Sequence, residues 1–513
     1  MKNNLNHILA ILLLLLSSCG REENKGTAPA EPALRVTLEE ASAFWAGFSV
    51  ETLECASLRY GVSEEMPLRT DLGSSLLDRV RIQLNDLLPL TAYTLYVQGI
   101  GPEGEEGKVM TVQFQTIESP DGIYPWESRR TLLPSFADMT LVTMGSHNAT
   151  PPKWTRERFA SHVLYKDQEG RSHWLFDSFL CIDGYDPVRG RILSISSGNR
   201  RSGVKASWED LMDAWLGENG ALKELDAAVA EAAATLGTPP APRYVVMTVP
   251  DPIRYELFKD PASSTTYWGE LDGVQMDFAK VEDQVAACKW YMNRCRELFY
   301  ARHYKHLELA GFYILSEELP LSPDFYQTAG QTYDSDDTWN WNHKNWERIV
   351  PQLSAYAHSC MEGLWWIPYH LAPGYKVWKQ LGLDCAFMQP NYYWDHDAVS
   401  HPLPLTGKAL KDYRMGIELE FEYSLVASVM ADGRSGPDGS GNPTFYAKDV
   451  PLLRSRLREY MQTYKDTGLY GEVPVAVYSG TDALHQLAAS PDAGDREMYH
   501  DLCSFIIGSA LKK

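Results

Sequence analysis

From about residue 125 onward, short continuous runs of apolar residues alternate with longer amphipathic segments. Such short runs are typical of strands buried on both faces, and segments with apolar residues three and four positions apart are typical of the helices that connect parallel strands. Eight strands are predicted, at 139–145, 174–181, 244–250, 311–318, 364–370, 385–392, 415–423 and 473–480. Helices are predicted between them, including 208–236, 281–309, 341–361 and 450–467. Eight strand–helix units in succession predict an α/β fold, the (β/α)8 TIM barrel.

A doubly wound open sheet is the alternative fold for this alternation. Folds of that kind that bind nucleotides carry a glycine-rich turn after the first strand, G-x-G-x-x-G or G-x-x-x-x-G-K-[ST]. Neither pattern follows the first predicted strand of this chain. We therefore expect a barrel over residues 125–513, and we expect no cofactor.

The N-terminus has the pattern of a secretory signal. An apolar run at 8–16 is too short to span a bilayer, and it is followed by Ser17-Ser18-Cys19. This stretch resembles the bacterial lipobox, whose cysteine is lipidated and then becomes the first residue of the mature chain. The resemblance implies a signal peptide at 1–19, lipidation of Cys19 and a flexible tether at 20–33.

The residues after Cys19 bear on where the chain would be anchored. Gly20-Arg-Glu-Glu resembles the export signal of Bacteroidota surface lipoproteins. This resemblance implies attachment to the outer membrane, with the protein on the cell surface. A periplasm-facing anchor is the alternative.

Residues 34–118 consist of short alternating apolar and polar runs, the later ones separated by Gly and Pro turns, which predicts a small all-β domain. The segment Leu87-Leu-Pro-Leu-Thr-Ala-Tyr93 resembles the fibronectin type III pattern, in which a tyrosine hydrogen-bonds back to the chain at the corner of a β-sandwich. The resemblance implies a fibronectin type III-like spacer domain, with carbohydrate binding as an alternative.

Composition narrows the classes of partner. The chain has 513 residues and a formal net charge of -21, whereas nucleic-acid binding depends on clustered lysine and arginine, so we expect no nucleic-acid partner. The seven cysteines after Cys19 are scattered without the spacing of metal ligands. They are expected to be small buried apolar residues, and no metal ligand is assigned. The oligomeric state is left open.

Glutamates stand at the C-terminal ends of two predicted strands, where TIM barrels build their active sites. Strand four ends in Ser316-Glu317-Glu318, and strand seven contains Glu418, Glu420 and Glu422 at alternate positions. Side chains alternate along a strand, so the strand-seven glutamates are expected to share the face that lines the barrel interior or its mouth. Buried carboxylates are costly to ionise, so packing alone does not explain three of them. Two opposed carboxylates can hydrolyse a glycosidic bond, one as general acid and the other as nucleophile or base.

Polar and aromatic residues near the predicted mouth suit a sugar, whose hydroxyls need directional hydrogen bonds and whose ring faces stack on aromatic rings. The candidate substrate-binding residues are Asp177, Gln389, Asn391, His147, Trp339, Trp366, Tyr392 and Trp394. Capping, loop bracing and core packing use the same residue types, and they are the alternative for each residue.

An acid/base at the end of strand four with a nucleophile near the end of strand seven resembles the large retaining glycoside hydrolase clan built on this barrel. The resemblance implies Glu318 or Glu317 as the acid/base and Glu420 as the nucleophile, with Glu418 as a further candidate. That clan commonly places Asn before the acid, where this chain has Ser316, so the choice among the glutamates stays open.

Across residues 135–511 the chain also resembles a bacterial family known as domain of unknown function 4855. The matching segments recur in order along the barrel: Phe176-Asp-Ser-Phe, Gly311-Phe-Tyr, Ile367-Pro-Tyr, Met388-Gln-Pro-Asn-Tyr and Gly416-Ile-Glu-Leu-Glu-Phe. This resemblance implies a glycosidase-like barrel without specifying a substrate.

These patterns together predict a membrane-anchored glycoside hydrolase that acts on a glycan, with retention of configuration as the favoured outcome. A non-catalytic glycan-binding lipoprotein is one alternative, and it would keep the aromatic residues without opposed carboxylates. A structural envelope protein is another, and it would neutralise the strand-seven glutamates with arginine or lysine.

Overall fold

The structure is a computed structural model. It describes residues 32–41, 46–72, 77–84, 87, 90–117, 136–144, 153–195, 201–239, 241–258, 260–333, 345–360, 362–395, 400–431, 445–480 and 482–512. The predicted signal peptide with Cys19, the tether up to residue 31, His147 and Trp339 lie outside the described residues. The chain forms two compact units, one consisting mainly of Gly47–Gln83 and Ala92–Gln115, the other containing Thr116–Lys513.

The first unit is a small β-sandwich, as the all-β pattern predicts. Its described strands are β1 (Ala33–Ala41), β2 (Ala46–Leu53), β3 (Ser57–Gly61), β4 (Leu68–Asp71), β5 (Leu77–Leu84), β6 (Ala92–Ile100) and β7 (Met110–Gln115). One sheet has the strand order β1-β2-β5. The other has the order β4-β3-β6-β7, and its neighbouring strands are antiparallel. Phe48 of β2 meets Phe114 of β7 edge to face at 5.2 Å, so the apolar faces of the two sheets pack together. The likeness to fibronectin type III stays a prediction.

The second unit contains a closed barrel of eight parallel strands, which confirms the predicted fold class and excludes the open sheet. Numbered one to eight in chain order, the barrel strands are Asp138–Val142, Ser178–Cys181, Arg243–Val249, Leu307–Ile314, Gly363–Trp366, Cys385–Met388, Gly416–Glu420 and Val475–Tyr478. Each strand pairs with its neighbours in this order, and strand eight closes on strand one. All seven residues of strand three are buried, as expected for a strand between a filled barrel and a helical layer.

Strands four and five approach each other closely at Gly311. A β-carbon at Gly311 would lie 2.1 Å from the carbonyl oxygen of Gly363, and the φ angle of Gly311 is +149°. No larger residue fits this backbone and this approach. The Gly311-Phe-Tyr segment therefore has a packing role where strand four turns toward the mouth.

Helices connect the strands. The described α-helices are α1 (Arg156–Val163), α2 (Lys205–Leu216), α3 (Leu222–Leu236), α4 (Val281–Ala301), α5 (Pro323–Thr328), α6 (Trp346–Ser359), α7 (Leu403–Tyr413), α8 (Ala427–Met430), α9 (Val450–Asp466), α10 (Ala483–Ala489) and α11 (Ala493–Ile507).

Several predicted boundaries are wrong. Strands five, six and seven end at Trp366, Met388 and Glu420, three or four residues earlier than predicted, so Gln389 and Asn391 follow strand six. The single helix predicted at 208–236 is two helices, because Gly217 and Gly220 interrupt it and glycine is a poor helix former. The helix predicted at 281–309 ends at Ala301, since strand four already begins at Leu307. Trp174, predicted to begin strand two, instead pairs with Leu164 in a short antiparallel hairpin.

The seven described cysteines are all buried and none forms a disulfide, which confirms the prediction that they act as small apolar residues. Within the described ranges, no helix combines the length and apolar character needed to cross a bilayer.

Candidate active site

Strand seven supplies two buried glutamates. Glu418 and Glu420 are each 3% exposed, and the residues that alternate with them, Ile417 and Leu419, are fully buried. The strand is covered on both faces, so a glutamate here either accepts hydrogen bonds that stabilise its carboxylate or takes up a proton. The two carboxyl groups differ in the hydrogen-bond donors around them.

Glu420 is surrounded by hydrogen-bond donors. Its Oε2 accepts from the backbone N–H of Asn391 at 2.7 Å and from the Tyr460 hydroxyl at 3.1 Å, and the side chain of Trp394 also donates to it. Burial raises the pKa of Glu420 to about 8, although these three donors act in the opposite direction. The negative charge of Glu317 adds to the rise.

Glu418 lies one inward-facing position earlier on the same strand. Burial raises its pKa well above the usual value, and the charges of Glu420 and then Glu317 raise it further. Strands four and seven are not neighbours, so the effect of Glu317 acts across the barrel. Three carboxyl groups thus converge at one place, and they cannot all be ionised at neutral pH.

Glu317 follows strand four, and it is the strand-four glutamate that the structure brings into this cluster. Gln389 Nε2 lies 3.3 Å from Glu317 Oε1, and burial raises the pKa of Glu317. Glu318 is half-buried like Glu317, and its carbonyl oxygen accepts from the Ser316 hydroxyl at 2.8 Å. Glu317 contacts Gln389, and its charge acts on Glu418 and Glu420. We therefore place Glu317 ahead of Glu318 as the acid/base candidate.

The two predicted amides of strand six lie beside these carboxylates. Gln389 binds Glu317, while the backbone of Asn391 binds Glu420, so one short segment holds a glutamate from each side of the barrel. Asn391 has a φ of +54°, a left-handed conformation that asparagine tolerates better than most residues. Its side-chain Nδ2 is buried, and no described residue accepts a hydrogen bond from it.

The predicted aromatic residues have different surroundings. Trp394 is half-buried and donates to Glu420, which places it in the site. The hydroxyl of Tyr392 donates to Glu459 of α9 at 2.8 Å, and the Arg456 guanidinium lies over its ring at 4.9 Å, so much of this ring is used in packing. The prediction for Trp366 is wrong: it is 0% exposed, and its Nε1 donates to the carbonyl oxygen of Ser316 at 2.7 Å.

The prediction for Asp177 is also wrong, because this residue lies at the opposite end of the barrel. It precedes strand two, and its Oδ1 lies 2.8 Å from the guanidinium of Arg243, the first residue of strand three. Lys512 Nζ lies 3.0 Å from Asp177 and 2.8 Å from Asp138, the first residue of strand one. This ion cluster at the N-terminal ends of the strands is structural, and in TIM barrels that face serves stability.

Sequence analysis missed two buried aspartates, each two residues beyond a barrel strand. Asp183 accepts from the Thr143 hydroxyl at 2.9 Å and from Trp215 Nε1 at 3.1 Å, and burial raises its pKa to about 7. Asp251 accepts from the backbone N–H of Ile195 at 2.9 Å and from that of Ser316, and burial raises its pKa to about 7. Their position two residues after a strand could have identified them in the sequence. Asp251 accepts from the backbone of Ser316 and so stabilises the segment that carries Glu317.

Fold and site together define a (β/α)8-barrel protein with a cluster of glutamates contributed by strand seven and by the segment after strand four, at the mouth. Within that class, the chain belongs to the family described as Domain of unknown function (DUF4855), whose model matches residues 138–434. This match covers more than half of the chain and extends from strand one past strand seven.

Several solved structures similar to this chain are glycoside hydrolases. A GH5 xyloglucanase of Bacteroides ovatus, in complex with a XXXG heptasaccharide, is 10% identical over 92% of this chain and 100% of its own, with a TM-score of 0.36. Chitinase ChiW of Paenibacillus sp. str. FPU-7 is 9% identical over 78% of this chain and 32% of its own, with a TM-score of 0.27. The β-glucuronidase of Parabacteroides merdae is 10% identical over 88% of this chain and 47% of its own, with a TM-score of 0.24. At these values the similarity assigns no substrate and no residue role, and no curated protein matches the chain.

Proposed function

We propose that this protein is a glycoside hydrolase in which Glu317 is the general acid/base and Glu420 is the nucleophile. The observation that carries the proposal is the segment after strand six, where Gln389 Nε2 lies 3.3 Å from Glu317 and the backbone N–H of Asn391 donates to Glu420 at 2.7 Å, so that glutamates from strands four and seven lie beside one short segment. A retaining hydrolase needs two carboxyl groups on either side of the scissile bond, at the end of the barrel where strands four and seven end.

The division of roles follows from the hydrogen-bond donors. Glu420 accepts from Asn391, Tyr460 and Trp394, and such donors stabilise a carboxylate. Glu317 is half-buried and has one amide beside it, at the longer distance of 3.3 Å. We therefore assign the nucleophile to the ionised fraction of Glu420, which its donors hold in place and which grows as the pH approaches its pKa of about 8, and the acid/base to Glu317.

Glu418 has a supporting place in this scheme. Burial and two neighbouring carboxylates raise its pKa well above the usual value, which favours its protonated form. A neutral Glu418 leaves the chemistry to one acid and one nucleophile. The charged groups that act on Glu418 are themselves carboxylates, which disfavours a purely structural barrel with glutamates neutralised by arginine or lysine.

A panel of 4-nitrophenyl glycosides and polysaccharides tests the proposal. Wild type should cleave at least one of them, and Glu420→Gln and Glu317→Gln should each lower kcat by about 1,000-fold or more. Glu169→Gln, at an exposed glutamate of the hairpin beside α1, is the matched control and should behave as wild type. Equal turnover by wild type and Glu420→Gln, or binding of sugars without any cleavage, would overturn the proposal.

Azide rescue distinguishes the two roles. Azide should restore turnover to Glu420→Ala and yield a glycosyl azide of inverted configuration, because it attacks from the side that the carboxylate leaves vacant. With Glu317→Ala, azide should intercept the covalent intermediate and yield the retained configuration. The opposite pair of products would exchange the two assignments.

We also propose that the chain is lipidated at Cys19 and held at the outer membrane, facing the cell surface. The proposal is supported by Leu16-Ser17-Ser18-Cys19 and by the charged residues that follow. An anchored hydrolase of this kind would act on glycans at or outside the envelope.

A further inference from the structure

A second group of polar residues lies beside the glutamates and has no part in the mechanism above. It consists of Tyr369, three residues beyond strand five, and of Asp395 and His401, which follow strand six. His401 Nε2 lies 2.8 Å from the Tyr369 hydroxyl oxygen. Asp395 Oδ2 lies 3.8 Å from His401 Nδ1 and accepts the backbone N–H of His401 at 3.0 Å. The imidazole of His401 is thus hydrogen-bonded to the phenol of Tyr369, and the Asp395 carboxylate lies near its other nitrogen without a direct hydrogen bond to it.

Tyr369 is tied to the site at both its backbone and its side chain. Its backbone N–H donates to the carbonyl oxygen of Glu317 at 3.0 Å. Burial raises the pKa of its phenol, and the charges of Glu420 and then Glu317 raise it further. Tyr369 is half-buried, so part of the residue remains accessible.

The neighbours of His401 determine how it holds the phenol. We place a proton on His401 Nδ1, because an unprotonated Nδ1 would direct its lone pair at the negatively charged Asp395 carboxylate. Nε2 then either accepts from the Tyr369 hydroxyl or, in the doubly protonated ring, donates to it. In both states the phenol oxygen keeps one hydrogen-bonding direction unused by His401.

The second histidine of this region does not add a charge. The His370 ring lies 5.2 Å from the His401 ring, and burial lowers the pKa of His370 to about 4. His370 is therefore neutral at neutral pH. The acidic groups around Tyr369 and His401 are Glu317, Glu318, Glu420 and Asp395.

We propose that the Tyr369 hydroxyl contacts the sugar bound between Glu317 and Glu420, and that His401 and Asp395 are positioning residues that hold the phenol for this contact. The proposal rests on the proposed function for the nature of the ligand. It gives the Ile367-Pro-Tyr segment a role at the site.

The test compares Tyr369→Phe with Tyr165→Phe. Tyr165 makes a tyrosine–histidine contact of nearly the same length, 2.9 Å to His500, but with α11 in the outer layer, so it controls for loss of such a bond elsewhere. Affinity for the 4-nitrophenyl glycosides is measured by calorimetry in a Glu420→Gln background, and kcat/KM is measured in the wild-type background. Tyr369→Phe should weaken binding and lower kcat/KM by about 10-fold or more, whereas Tyr165→Phe should change neither.

A double-mutant cycle tests the positioning roles. If His401 acts through Tyr369, His401→Gln alone should lower kcat/KM, but it should cause no further loss in a Tyr369→Phe background. A merely structural histidine would give additive losses, and that result would overturn its assignment. Asp395→Asn should behave in the same way as His401→Gln.

The two proposals fail in different ways. Glycoside binding that depends on Tyr369 but is not followed by cleavage would overturn the hydrolase and retain the Tyr369 contact. Cleavage that is unaffected by Tyr369→Phe would overturn the contact and retain the hydrolase. If no glycoside is bound or cleaved, both are wrong.

Discussion

Replacing Glu420 with glutamine should remove activity and stabilise the barrel at alkaline pH. An unfolded glutamate has a pKa near 4.5, and burial raises that of Glu420 to about 8. Below pH 4.5 both states of the protein hold the proton, and between pH 4.5 and 8 only the native state holds it. The free energy of unfolding therefore falls by about 1.4 kcal/mol per pH unit over this window.

The amide of glutamine does not titrate, so the variant lacks this loss. Relative to wild type, its free energy of unfolding should increase by about 4 kcal/mol between pH 5 and pH 8. Asp183 and Asp251 are common to both proteins and Glu420 does not act on them, so their contributions cancel. Glu418 loses the charge of Glu420 in the variant, and this loss affects the comparison mainly above pH 8, where wild-type Glu420 is ionised.

Urea unfolding at pH 5, 6, 7 and 8 measures this difference. The buried tryptophans Trp208 and Trp215 of α2 make fluorescence a suitable probe of the barrel. Glu169→Gln, at an exposed position, should follow the wild-type curve at every pH. A difference between wild type and Glu420→Gln that stays constant within about 1 kcal/mol would refute the reasoning that burial holds a proton on Glu420.

Three further predictions concern other parts of the chain. Glu418→Gln should retain turnover within about 10-fold of wild type, because a neutral amide resembles the protonated acid; a kcat loss of about 1,000-fold would instead make Glu418 catalytic. Lys512→Met should lower the free energy of unfolding by about 3 kcal/mol, since it leaves the buried Asp138 carboxylate without its lysine; urea unfolding checks this, and a loss below about 0.5 kcal/mol contradicts it. Cys19→Ala should abolish labelling by a radioactive fatty acid and release the protein from the membrane fraction, whereas unchanged fractionation would contradict the anchor.

The barrel strands were predictable because their signal is local. A strand buried on both faces must be apolar along its length, and eight such runs stand out between amphipathic helices. The strand-seven glutamates were predictable for a related reason, since charges inside an apolar run conflict with burial. The sequence pattern could not show which of Glu317 and Glu318 is the better acid/base candidate, because both follow the strand. Their placement depends on the turn at Ser316, which only the structure shows.

The wrong assignments have a common cause. Asp177 and Trp366 belong to residue types that bind sugars, but sequence does not show which end of a short strand a residue occupies or whether it faces outward. Strand two begins at Ser178, which places Asp177 at the N-terminal end of the barrel with Arg243 and Lys512. The tyrosine–histidine–aspartate group was missed because its members follow two different strands.

The sequence by itself determined the fold class and the strands that carry carboxylates, because buried strands must be apolar and a glutamate within such a run stands out. Only the tertiary structure decided which of these glutamates lie close together. Glu317 and Glu420 are 103 positions apart and belong to strands that are not neighbours, and the charge of one reaches the other only because the sheet closes. Burial within the closed barrel is also the main cause of the raised pKa values of both groups.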